Sequence, residues 1–217
     1  MKKETKKKWE KSTSLRELIL PNKTINFFVT TVLVLGILSG AIFLMMSNET
    51  DKSSVVTQIQ TFFKNIAEGT IDNGLALRNS LIINYIFVGV IWVFGLSMIG
   101  VIANIFLTYI KGFLVGFSIS SIILTYGYKG ILASLLYTFP SQILNIMIVI
   151  VLSIYSIMFA KNLLHIIGSK GNGNNRLMLK KYVVILMFCI IVSFISSLFE
   201  VYLFPNILKF VISFYVS

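Results

Sequence analysis

A run of about twenty apolar residues leaves a chain few choices. A helix needs roughly that many to cross about 30 Å of hydrocarbon. Lipid offers backbone groups no partners, so only helices and closed barrels span it. The first such run covers residues 25–46, behind a Lys-rich start. Comparable runs follow over 81–110, 112–127, 130–162 and 182–204. Composition agrees: 56% of the 217 residues are hydrophobic and 12% charged, against about 45–50% and about 25% in soluble domains. No soluble fold hides that much apolar surface. The fold class expected is an all-α integral membrane protein, a bundle of about five transmembrane helices. Hydropathy alone also allows six.

The charge of +11 is placed unevenly. Residues 1–24 carry eight cations and three acids, and residues 161–181 carry Lys161, Lys170, Arg176, Lys180 and Lys181 with no acid. Basic flanks beside apolar spans mark cytoplasmic loops, so these segments report topology or anionic-lipid contact rather than nucleic acid. The division expected is a basic cytoplasmic N-terminal segment, 1–24, and a polytopic membrane domain, 25–217. The start is too long and polar for an efficient signal peptide, so the first run is read as an uncleaved span. Residues 168–175, rich in Gly and Asn, make a cytoplasmic linker. Residues 206–217 are apolar but short, and are expected in the outer interface.

The loop over 47–79 is nearly neutral, with Lys52, Lys64 and Arg78 against Glu49, Asp51, Glu68 and Asp72. That balance suits the extracytoplasmic side. Within it Val55, Val56, Ile59, Phe62, Phe63 and Ile66 recur at helical spacing, the stripe of an amphipathic helix. The outer leaflet, the bundle or a partner protein would each cover such a stripe. Ile59, Phe62, Phe63 and Ile66 are its candidate partner-binding residues.

Two features interrupt the later runs. Lys111-Gly112 divides 81–127, which predicts a span ending near Lys111 at the cytoplasm. The alternative places the division between Gly95 and Gly100 and leaves Lys111 inside the membrane. Pro140 stands a third of the way along 130–162. Proline removes a backbone donor and disfavours helix in the residue before it, and Ser141, Gln142 and Asn145 follow. The expectation is a half-helix over 131–139 and a completing span over 141–160; the alternative is one long helix kinked at the proline.

The inventory for catalysis is thin. There is one His and one Cys, no His-Glu-x-x-His pattern, and no acid pair within the spans. Gly116-Phe117-Ser118-Ile119-Ser120 resembles a nucleophile elbow until its fifth position, where Gly is required. His165 falls at the cytoplasmic membrane edge, and Cys189 reads as a small apolar filler. No catalytic residue, metal ligand or cofactor is assigned.

Glycine says more. Gly36-x-x-x-Gly40 and Gly112-x-x-x-Gly116 let helix backbones approach closely, and Gly95 and Gly100 add further small sites. They predict a tightly packed bundle or a homo-oligomer. Glu200 is the one acid within a span, where charge is expensive. Eighteen residues beyond Tyr182, it lies roughly 27 Å along that helix. It is either an interfacial acid reaching water or a carboxylate buried against Ser141 and Gln142.

Taken in order, these motifs resemble the stage II sporulation protein M family of Firmicutes over residues 25–210. The residues that carry the likeness are Gly36-Ile37-Leu38-Ser39-Gly40, Arg78-Asn79-Ser80, Phe94-Gly95 with Gly100, Lys111-Gly112-Phe113-Leu114-Val115-Gly116, Phe139-Pro140-Ser141-Gln142, and Phe199-Glu200-Val201 with Pro205. Broader relatives carry His-Gly after the proline, where this chain has Ser141-Gln142, so no metal or proton role is carried over to that position. The resemblance implies a non-catalytic membrane scaffold of forespore engulfment. It would hold two peptidoglycan hydrolases, resembling stage II sporulation proteins D and P, on the mother-cell side of the septum and engulfing membrane. A small transporter or channel with a site at the Pro140 break is the competing reading.

Overall fold

The structure, a computed structural model, describes residues 22–97, 100–168, 175–207 and 209, without the side chains of 137–141, 165–168 and 175–178. The basic segment before residue 22, most of the Gly-Asn linker, most of the chain after 207 and the side chains of Pro140, Ser141 and His165 lie outside that description. The elements are α1 (Lys23–Met46), α2 (Glu49–Glu68), α3 (Asn73–Gly95), α4 (Gly100–Tyr126) and α5 (Tyr128–Ala133). A π-helical turn (Ser134–Thr138), α6 (Phe139–Gly168), α7 (Asn175–Leu198) and a second π-helical turn (Phe199–Leu203) complete them. No strand occurs among the described residues. Five segments are long and apolar enough to cross a membrane: Lys23–Met46, Asn73–Gly95, Gly100–Tyr126, Gln142–Leu164 and Leu179–Ile207. The protein is an all-α, multi-pass membrane protein.

Successive spans alternate in direction, so α2 sits at one end of the bundle and Lys23, Lys161, Lys180 and Lys181 at the other, basic end. Local signals set the boundaries. Asn22 Oδ1 accepts from the Thr24 and Ile25 amides at 3.1 and 3.3 Å and starts α1, as an N-cap does by satisfying orphan donors. Asp72 starts α3 in the same way, accepting from Gly74 N at 2.8 Å and Leu75 N at 3.2 Å. Gly69, at φ 70°, closes α2 in the left-handed conformation that suits glycine.

The division of the second apolar stretch corrects the favoured expectation. α3 ends at Gly95 and α4 begins at Gly100, so Lys111 lies mid-helix and is buried. The reason is steric. A Cβ on Gly100 would strike the Phe94 backbone, and one on Gly95 would strike the Tyr182 hydroxyl and Ser156. The chain therefore reverses where two glycines admit close approach, among apolar residues that hydropathy does not distinguish from a span.

At Pro140 the backbone stays helical, passing from α5 through the π turn into α6. Proline removes the i→i−4 bond and crowds the carbonyl four residues back, and a wider turn just upstream relieves both. Pro205 follows the second π turn at the same distance, in a similar sequence: Tyr137-Thr138-Phe139-Pro140-Ser141 against Tyr202-Leu203-Phe204-Pro205-Asn206. Both sit at the α2 end. The regular ladder is interrupted at each proline without two separate half-helices forming.

The most extensive helix contact joins α1 to α4. Gly36 and Gly40 face Gly112 and Gly116, and a Cβ on Gly36 would meet Tyr109 O and the Gly112 Cα. A core of Val88, Ile91, Ile148, Val149, Leu152, Ile185 and Cys189 binds α3, α6 and α7. Outward faces carry exposed Phe27, Leu38, Ile86, Phe106, Val184 and Phe188, the apolar surface that lipid requires.

Candidate functional site

The polar side chains inside the bundle are concentrated on facing stripes. On α7 and the turn after it, Ser193, Ser196, Ser197 and Glu200 recur at helical spacing; on α3, Ser80 and Asn84 lie one turn apart. These helices meet, and the Ser80 hydroxyl donates to Glu200 Oε2 at 2.7 Å. The Ser80 and Ser197 hydroxyls lie 3.0 Å apart. Asn84 Nδ2 donates to Ser197 at 3.0 Å and to Ser80 at 3.4 Å. Ser196 donates to Asn145 Oδ1 on α6 at 3.1 Å. Buried polar groups in lipid need such partners, because none come from the solvent.

Glu200 stands between two cavities beneath α2. The larger, about 380 Å³, has Phe62, Ser80, Tyr202, Pro205 and Lys209 in its walls. The smaller, about 280 Å³, is lined by Ile59, Phe62, Phe63, Ser121 and Gln142. The described partner of the carboxylate is thus Ser80 on α3; Gln142 borders one cavity with it, and the Ser141 side chain lies outside the described residues. Glu200 is half-buried, hydrogen-bonded to Ser80 and in the walls of both cavities.

Lys111 is only 7% exposed. Its ammonium lies 5.4 Å from the centre of the Phe87 ring. An intramembrane cation against an aromatic face is a functional candidate by default. Sequence reasoning left it at the membrane edge. The available signal was Asn104, Thr108 and Lys111, a polar line down one face of α4. Toward the basic end that line continues: Asn104 donates to Ser156, Thr108 and Ser153 hydroxyls lie 2.9 Å apart, and Tyr182 donates to Trp92 O at 2.9 Å.

The α2 stripe has its cover in the bundle. Phe63 and Ile66 are buried with Ile122 and Ala133, and Ile59 packs against them. The bundle, one of the covers the sequence left open, thus takes Phe63 and Ile66, while Phe62, 38% exposed, lines both cavities. Cys189 is buried in the core, and the Ser118 hydroxyl caps Leu114 O at 2.8 Å. No group of three or more His, Cys, Asp and Glu able to hold a metal occurs among the described residues.

A family model described as stage II sporulation protein M matches residues 29–205. No curated protein and no solved structure matches the chain.

Proposed function

The chain belongs to the stage II sporulation protein M family, which makes it a sporulation-related membrane protein, and from there we propose that it is a non-catalytic scaffold in forespore engulfment. In this reading it holds peptidoglycan hydrolases resembling stage II sporulation proteins D and P at the septal and engulfing membrane, from the mother-cell side. The observation that carries the reading is α2: an amphipathic helix fixed onto one end of the bundle by Phe63 and Ile66, with Phe62, 38% exposed, in the walls of two cavities. Such a rigid platform suits holding a partner, since the partner surface is already ordered before contact. The test is affinity capture from sporulating cells with Phe62 intact and with Phe62→Ser. Recovery of the two hydrolases with the first and not the second supports the scaffold; recovery with neither overturns it.

A small transporter is the second reading, favoured by Glu200 opening onto two cavities and by Lys111 deeper in the same polar core. Ion- or solute-dependent flux in proteoliposomes, lost in Glu200→Gln, would carry that reading instead.

A further inference from the structure

Beneath Glu200 a third, much smaller cavity, about 10 Å³, lies against Lys111. Its polar walls are Lys111, Asn84, Asn145 and Ser193, and the rest is apolar. A space of about 10–15 Å³ on this measure holds one water, provided two to four polar groups meet it. Ser193 supplies an independent sign. It is 0% exposed, and its Oγ has no hydrogen-bond partner among the described residues. Buried hydroxyls rarely stay unpaired.

The donor and acceptor inventory selects the ligand. Asn84 already donates through Nδ2 to Ser80 and Ser197, so it offers the cavity its oxygen. Asn145 already accepts from Ser196 on Oδ1, so it offers its amide hydrogens. Lys111 only donates, and Ser193 does either. A group that accepts from Lys111 and Asn145 while donating to Asn84 and Ser193 satisfies every one of them. Water does so; a metal cation would meet the ammonium, and a larger anion does not fit.

We propose that this cavity is a binding site for a single ordered water that hydrates Lys111 and ties it into the Glu200 network. The ammonium is then solvated inside the bundle without a carboxylate in contact. The chain of hydrogen bonds runs from Lys111 through the water, Asn84, Ser197 and Ser80 to Glu200, and so to the cavity at the α2 end.

The test combines thermal unfolding of the purified full-length protein in detergent with a density map fine enough to show waters. Ser193→Ala removes one of four water ligands and lowers the melting temperature by about 2–4 °C. Ser193→Val, which fills the space with methyl groups, lowers it further. An unpartnered hydroxyl behaves in the opposite way: its removal leaves the melting temperature unchanged or raises it, and that result overturns the proposal. If Ser193→Ala does not accumulate, the map of the unmodified protein decides. A peak within hydrogen-bond distance of both Lys111 Nζ and Ser193 Oγ supports the site, and bare density there overturns it.

Discussion

Ser80 and Glu200, 120 residues apart in sequence, are joined by a 2.7 Å hydrogen bond that pins the second span to the last. Hydrogen bonds between membrane helices average about 0.6 kcal/mol, and charged acceptors roughly double a bond's strength. A double-mutant cycle of Ser80→Ala and Glu200→Gln should therefore show a coupling of about 1 kcal/mol in unfolding experiments. Additive losses would mean that solvent, not Ser80, satisfies the carboxylate. Glu200→Leu should be worse than Glu200→Gln, because it strands the Ser80 hydroxyl without its carboxylate acceptor.

Glycines at the α1–α4 contact and on the outer surface should respond in opposite ways. Gly36→Ala and Gly116→Ala place a methyl against backbone of the facing helix. Backbone cannot yield as a side chain does, so both should lower the melting temperature and the folded yield. A Cβ on Gly89 meets nothing within 4 Å. Gly89→Ala should leave stability unchanged or raise it by up to about 1 kcal/mol, the helical advantage of alanine. Equal behaviour of all three would dissolve the proposed close packing.

Neighbouring aromatic residues on α2 separate fold from contact. Phe63 is 5% exposed and Phe62 38%. Phe63→Ser should reduce protein abundance on immunoblots by removing a core ring. Phe62→Ser should leave abundance near normal while reducing engulfment. Loss of abundance in both would make the whole helix structural.

Topology gives a test by thiol labelling of single cysteines, substituted one at a time at the positions below in a Cys189→Ser background. Ser54, on α2, should react with an impermeant reagent from outside the cell. Ser97, at the opposite end, and Thr5 and Asn174 in the basic segments should react only after permeabilisation. Reaction of Ser97 from outside would invert the arrangement.

Length and periodicity make the spans and α2 legible in the sequence, since both are local properties. The paired glycines are legible as small sites, but not that Gly36 faces Gly112 rather than a second chain. Lys111 shows the limit most clearly. Read alone it looks like a span boundary, because an uncompensated cation is disfavoured in lipid. What surrounds it is Phe87 on another helix and polar groups from α3, α6 and α7. None of these stands near it in sequence. Gly95 and Gly100 mark the true reversal, yet glycine also occurs mid-helix here, and only the Phe94, Ser156 and Tyr182 contacts tell the cases apart.

The contact between α1 and α4 also bears on how the chain is made. The first span leaves the ribosome long before Gly112 and Gly116 have been translated, with α2 and all of α3 emerging in between. Until then the groove beside Gly36 and Gly40 has no occupant from its own chain. The first span must wait in the insertion machinery or in lipid, exposed to other helices that carry small residues. Assembly of the bundle therefore begins in earnest only once the third span has arrived.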